Sequence, residues 1–333
     1  QKNFMRIPMQ FETYLSLDKP FKIPLEWLNS HLLITGINDE YGQSLLRRMA
    51  REIYFNHRDV SVLYLNTLDS RMKYQYFWDE YYYPPQCNPL TPYFYGSTVD
   101  EDNIQRNIRV LCAALGFSDD FTEKFSCYLL EKKLPPFLTQ LFAQYEAHVL
   151  KTKEILGEDY LLLSAIRYTI KRRFDKHWKL TSNKIPWVEA LRHGKRVFLD
   201  YSKPVSYKGW YTTMVLQTLR SQLCTGESPS RKILVMVENA HHCFHPIDVS
   251  HRSDYYFSKF LGSLLRECAR NNIYFFLEER CPSQFVNSIY PEIQRKIFFY
   301  HHYCNLREFP LSQEEHETIE VKLGQGDAAV YSF

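Results

Sequence analysis

Glycine is scarce in this chain, supplying 11 of 333 residues, about half the usual ~7%. With hydrophobic residues at 45% and aromatics at 16%, that scarcity fits a rigid, well-packed chain and argues against disorder. Paired cysteine spacing is missing as well. Cys87, Cys112, Cys127, Cys224, Cys243, Cys268, Cys281 and Cys304 include no C-x-x-C, so a disulfide scaffold is not indicated. Free, mostly buried thiols in a reducing compartment, and hence a cytoplasmic protein, are expected. No apolar run approaches the ~18 residues that a membrane helix needs; the longest lies near Ile273 to Leu277. A signal-peptide pattern is lacking too. The formal charge of +3 is too small to argue for nucleic acid by itself, so charge has to be judged segment by segment. The first residue is Gln1, not Met, and the expectation is a fragment of a longer chain with room for an upstream domain.

What is present reads as an α/β chain of about two domains by length. Residues 1–29 hold short apolar pieces broken by Pro8, Pro20 and Pro24, which suit a lead-in arm or edge strands. Strand-like runs follow at 32–35 and 60–65, then at 195–200, 232–238, 273–277, 296–300 and 328–333, separated by helical patterns at 45–56, 211–224 and 254–271. A mostly parallel sheet with helices on both faces is the economical fold. Residues 67–97 are rich in tyrosine and broken by proline; they suit a packed irregular loop or, more sharply, an aromatic platform that stacks bases. From Asp100 to about Trp178 only helical patterns occur, with Ile104, Ile108, Leu111 and Leu115 at 3.6 spacing. This helical block is an insertion that divides the α/β core. The resulting organisation is 1–29 arm, 30–75 first part of the core, 76–190 loop plus helical insertion, and 191–333 second part of the core.

The chain is organised around Ser30 to Tyr54, SHLLITGINDEYGQSLLRRMAREIY. A short apolar strand runs into Gly36, a polar loop leads to Gly42-Gln43-Ser44, and a helix follows with Leu45, Leu46, Met49, Ala50 and Ile53 on one face. A P-loop has the same plan, G-x-x-x-x-G-K-[ST], in which backbone N–H groups and a Lys hold phosphate. Here five residues separate Gly36 from Gly42 and Gln43 stands at the Lys position. Gln43 carries no charge, and Asp39 and Glu40 would face a triphosphate with like charge, each costing roughly 1 kcal/mol or more. An ordinary strand-turn-helix is the alternative.

The run from Lys232 ends in VENAHHC, and there the chain resembles the HerA branch of the HerA/FtsK superfamily of ring-forming DNA-translocating ATPases. Glu238 matches the first acidic position closing the Walker B strand, Asn239 the second, and Ala240-His241 match as they stand. Four other segments agree in order. LLITG (32–36) resembles the approach to the P-loop and KRVFLDYS (195–202) the strand that precedes a long helix. LLRECARNNIYFFLEERCPS (264–283) resembles the Arg-bearing helix, the next strand and the sensor motif, and LGQGDAAVYSF (323–333) the closing strand. The resemblance covers roughly 21–66 and 190–333 and implies a RecA-like P-loop NTPase core, ATP and Mg²⁺ as cofactors, and a homo- or hetero-oligomeric ring such as a hexamer.

Laid on this chain, the resemblance makes Gly36, Gly42, Gln43 and Ser44 the nucleotide-binding loop, with Ser44 and Glu238 as magnesium ligands. Glu238, Asn239 and Glu279, the last near the sensor position, stand in the catalytic positions. Arg266 and Arg270 match the helix that gives an Arg to the neighbouring subunit. Asn239 cannot accept the proton of an attacking water, and loss of charge at Gln43 is a second defect, so the expectation is a pseudo-ATPase that is structural or regulatory in a DNA translocation or processing machine. An active ATPase subunit, a nuclease and DNA are the partners considered. Two alternatives stay open: an active ATPase in which Arg47, Arg48 or Arg231 replaces the missing Lys, and a protein-binding scaffold without nucleic acid. Basic residues concentrate at 167–179, where Arg167, Lys171, Arg172 and Arg173 are either a phosphate contact or a solvated helix face. His241, His242, Cys243 and His245, with His301, His302 and Cys304, lack the paired spacing of a zinc site.

Overall fold

Strand runs that are apolar on both faces belong in a sheet covered on both sides. The computed structural model describes residues 5–8, 25–36, 39–66, 78–82, 108–109, 112, 116–131, 138–155, 157–174, 185–200, 215–224, 231–241, 252–280, 289–299, 312–317 and 327–332. The strands are β1 (Met5–Pro8), β2 (Leu32–Thr35), β3 (Val60–Asn66), β4 (Glu80–Tyr82), β5 (Arg196–Asp200), β6 (Lys232–Val237), β7 (Ile273–Glu279), β8 (Arg295–Phe299) and β9 (Asp327–Ser332). They form one sheet in the order β1-β9-β8-β2-β7-β6-β3-β5-β4. Every pairing from β8 across to β4 is parallel, while β9 runs antiparallel to both β8 and β1. The expected α/β class and mostly parallel sheet are therefore observed. The proline-broken first segment supplies an edge strand, where a missing N–H costs no ladder bond.

Helices α1 (Asp39–Asn56), α2 (Asp119–Glu131), α3 (Leu138–Thr152), α4 (Glu158–Phe174), α5 (Pro186–Arg192), α6 (Arg252–Arg270) and α7 (Gln313–Glu317) are joined by short helical turns, among them Leu25–Asn29 and Arg220–Cys224. Alternate strand residues supply two cores. Leu33, Leu63, Val197, Val235 and Phe275 meet Trp187 of α5 and Leu261, Leu264, Leu265 and Cys268 of α6 on one face. On the other, Ile34, Val62, Tyr64, Phe198 and Phe276 meet Leu45, Leu46, Met49, Ala50 and Ile53 of α1, the five residues its spacing had singled out. Phe121 of α2 and Tyr145 of α3 belong to the same apolar cluster as the first face, so the helical block and the sheet share one continuous core.

Two elements differ from the sequence expectation. Helix α1 begins at Asp39, several residues before the pattern at Leu45, with Gly42 tolerated inside it. Strand β4 lies inside the segment read as a loop. Its Tyr81 ring stacks on Phe198 at 5.0 Å between centroids, and Phe198 stacks on Tyr64 at 5.4 Å, so cross-strand aromatic packing holds three residues in the sheet. The rest of 67–97 lies outside the described residues. Among the described residues, no helix is long and apolar enough to cross a membrane.

Candidate nucleotide site

Parallel strands point all their C-terminal ends to one edge. At that edge β7 lies between β2 and β6, which brings the ends of those strands and the start of α1 together. Three residues connect Thr35 of β2 to Asp39 of α1. Gly42, Gln43 and Ser44 are therefore helical, and the N–H groups of Gln43 and Ser44 fall beyond the first four, which are the ones a helix leaves free for an anion. Gly42 has a packing reason for its identity: a Cβ there would lie 2.9 Å from Cγ of buried Glu278. Gly36 has another, since a Cβ would lie 2.6 Å from Cβ of Phe299 on β8.

Arg47, one turn after Gln43, decides the electrostatics. Its Nε lies 2.7 Å from Oε1 of Glu238, and its Nη2 donates to Oε2 of Glu238 at 3.2 Å and to Oε1 of Gln43 at 3.0 Å. Burial opposes the charge of Arg47, but the bond to Glu238 and that carboxylate's charge outweigh it, and the guanidinium's pKa is raised. The Glu238 side chain is 4% exposed. A bidentate fork of this kind matches guanidinium to carboxylate in geometry as well as charge.

The remaining groups are held by backbone. Asn239 adopts a left-handed φ of 51°, a conformation that Asn tolerates better than most residues. Its N–H donates to Oε2 of Glu278 at 3.0 Å, and Ala240 N–H donates to the Glu278 carbonyl at 2.8 Å. Glu279, wholly buried, accepts from His241 N–H at 2.7 Å and lies 2.9 Å from His241 Nδ1. Two strands along, buried Asp200 accepts from Asn66 Nδ2 at 2.7 Å and from Tyr81 O–H at 2.8 Å. Sequence reasoning singled out neither Glu278 nor Asn66. The Glu278-Glu279 doublet ending an apolar run was the available sign for the first; the second depends on strand order.

The structure thus brings together Gly36, Gly42, Gln43, Ser44, Glu238, Asn239 and Glu279. It does not bring the other candidates there. Arg270 ends α6, and α6 leads into the N-terminal end of β7, at the opposite edge of the sheet. Arg270 is exposed, while Arg266 pairs with Glu292. Glu267, on the same helix, is gripped by Arg220, with Nε–Oε2 at 2.6 Å and Nη2–Oε1 at 2.7 Å, because the helical turn at Arg220–Cys224 packs alongside α6. Arg231 also sits at the far edge, and Arg48 is exposed. On α4, Arg167 lies 2.6 Å from Glu146 of α3 and Lys171 is exposed; the side chains of Arg172 and Arg173 lie outside the described residues. So do His242, Cys243, His245, His301, His302 and Cys304. Among the described residues, no group of three His, Cys, Asp or Glu side chains could hold a metal.

As arranged, these residues do not fit Mg²⁺-ATP. Both oxygens of Glu238 are engaged by a guanidinium, Gln43 brings no charge, and the free N–H positions of α1 are displaced from Gln43 and Ser44. The surrounding fold nevertheless places such a site where a nucleotide-binding α/β protein has it.

A parallel sheet with a strand-to-helix loop at one strand end, an acidic strand two places along and helices on both faces is an α/β fold of the RecA-like kind that P-loop NTPases have. Solved structures agree. The chain matches VirB4 of Thermoanaerobacter pseudethanolicus with a TM-score of 0.63 at 12% identity, over 93% of this chain and 91% of that one. It matches the bacterial conjugative coupling protein TrwBdeltaN70 with a TM-score of 0.53 at 13% identity, over 86% and 72% of the two chains. The plasmid coupling protein TrwB in complex with ADP and Mg²⁺ gives 0.53 at 12% identity, over 83% and 71%. No protein-family model and no curated protein matches the chain.

Proposed function

We propose that this chain is a catalytically degenerate subunit with the HerA/FtsK-type ATPase fold, serving a DNA translocation or processing machine by binding rather than by hydrolysis. The coupling protein of the same fold binds ADP and Mg²⁺; here Arg47 stands on the carboxylate that would take the metal. That ion pair carries the reading. Drawing Arg47 away would cost the buried Glu238 carboxylate its charge-assisted fork, about 1.5–3 kcal/mol. Each 1.4 kcal/mol is about a tenfold loss of affinity. Asn239 adds a chemical defect, since an amide cannot take a proton from water.

Labelled ATP with Mg²⁺, titrated against the purified chain with and without DNA, tests the reading. Binding is expected to be negligible, as is phosphate release. Robust turnover that Ser44→Ala or Glu238→Ala abolishes would overturn it. The homo- or hetero-oligomeric ring, the active ATPase or nuclease partner and the cytoplasmic setting belong to the same proposal. Its support is the fold together with the exposed Arg270.

A further inference from the structure

The edge of the sheet opposite the candidate nucleotide site carries a row of cations that the site does not use. Strands β7, β6, β3 and β5 are consecutive neighbours, and a basic residue leads into each. Arg270 precedes β7, Arg231 precedes β6, Arg58 precedes β3 and Lys195 precedes β5. All four side chains are exposed, and none forms an ion pair with a described carboxylate. The acids nearby are already engaged. Glu189 holds Arg192 at 2.7 Å, Asp79 holds Arg196 at 3.0 Å and Glu267 holds Arg220 at 2.6 Å. Asp59 faces Lys232, whose pKa is lowered by burial and partly restored by that carboxylate.

The fold holds this row in place. Arg231 Nη1 donates to the carbonyl of Arg58 at 3.3 Å. Its guanidinium packs so closely over Gly194 that a Cβ there would collide with it, and Gly194, at φ +81°, makes the turn into Lys195. On the other side, Ile233 N–H donates to the carbonyl of Asn272 at 2.9 Å, which ties the start of β6 to the turn after Arg270. Strands ~4.8 Å apart spread the four positions over about 14 Å. A nucleic-acid strand presents one phosphate per ~3.4 Å of axis, so the row can meet several in succession.

We infer that this edge binds the sugar–phosphate backbone of a nucleic acid. A protein partner would dock on a cluster of apolar anchors. Here the exposed side chains beside the row are Arg192, His193, Asn272 and one acid, Asp59, which lies towards Lys232, and a single exposed ring, Phe55, lies nearby with the Arg51 guanidinium over it at 5.9 Å. Five exposed cations against that one acid, with polar donors and one ring, suit a polyanion with bases to stack. The inference deepens the proposed role beside DNA and is independent of whether ATP binds.

Fluorescence anisotropy of labelled 20-nucleotide single strands and 20-base-pair duplexes, titrated with the whole protein between 50 and 200 mM salt, provides the test. The double variant Arg58→Glu, Lys195→Glu should lose at least tenfold in affinity, and its slope of log K against log salt should flatten by about two. Arg58→Gln, Lys195→Gln should lose less, and thermal melts must match wild type for both. Triple reversal of Lys171, Arg172 and Arg173 on α4 should leave binding unchanged. Wild-type affinity in the edge variant, loss only in the α4 variant, or binding to phosphatidylserine vesicles without binding to either DNA would each overturn the inference. Should ATP bind tightly, the pseudo-ATPase reading would fall while the DNA comparison kept its meaning.

Discussion

His31 precedes β2 with both ring nitrogens in use. Its Nδ1 accepts from Phe275 N–H at 2.9 Å, and its Nε2 lies 3.0 Å from the Leu265 carbonyl, to which it donates. Burial lowers its pKa from 6.5 to about 4, against a smaller upward pull from Leu265. The folded chain therefore binds this proton less tightly than the unfolded chain does. Stability is unaffected above about pH 6.5 and falls as pH drops from there towards 4, by about 2 kcal/mol between pH 7 and 5. Urea unfolding at the two pH values checks this, with His31→Gln expected to flatten the difference; equal slopes in wild type and variant would assign the acid sensitivity elsewhere. At this scale the sequence was uneven as a guide. That Gln43 stands where a P-loop carries Lys was plain to read, but what surrounds it was not. Arg47 and Glu238 are 191 positions apart, and helix spacing shows only that Arg47 shares a face with Gln43.

At the scale of elements, Gly36 illustrates how a residue can have two readings. Its place after a strand suggests a phosphate loop, yet the strand beside it supplies a sufficient reason, because β8 brings Phe299 Cβ into the space a side chain would need. Gly36→Ala should then destabilise the fold by ~1–3 kcal/mol through overpacking, measured as a lower urea midpoint without added ligand. A variant as stable as wild type would return Gly36 to a purely functional role. Strands and helices on the 2.0 and 3.6 periods were legible, down to the buried face of α1, because burial on one or both faces writes itself into spacing. The start of α1 was not, since Gly42 reads as a break when tertiary packing against Glu278 is unknown. Nor was β4, whose three residues have too little pattern and depend on Phe198.

Strand order governs the whole molecule and is invisible in the chain read residue by residue. It gathers the carboxylates Glu238, Glu278, Glu279 and Asp200 at one edge and aligns Arg270, Arg231, Arg58 and Lys195 at the other. In ring-forming ATPases an Arg remote from its own subunit's site can act on a neighbour's, and the proposed function extends this to Arg270. Mixed with an active ATPase subunit, the chain is expected to raise that subunit's phosphate release, and Arg270→Ala to assemble normally yet fail to stimulate. Arg266 is tied to Glu292, an exposed pair worth only ~0.2–1 kcal/mol, so Arg266→Ala should have the smaller effect. Equal stimulation by wild type and both variants, or no complex, would leave a scaffold.

Strand β9 has β8 on one side and β1 on the other, so, among the described residues, 327–332 bridge Met5–Pro8 to the rest of the sheet. On the ribosome, Met5–Pro8 must wait for residues 327–332 before it can pair. Until β9 emerges, β8 has an open edge and β1 has no neighbour to pair with. A nascent chain held short of residue 327 therefore exposes an unpaired edge at β8 for as long as it is stalled.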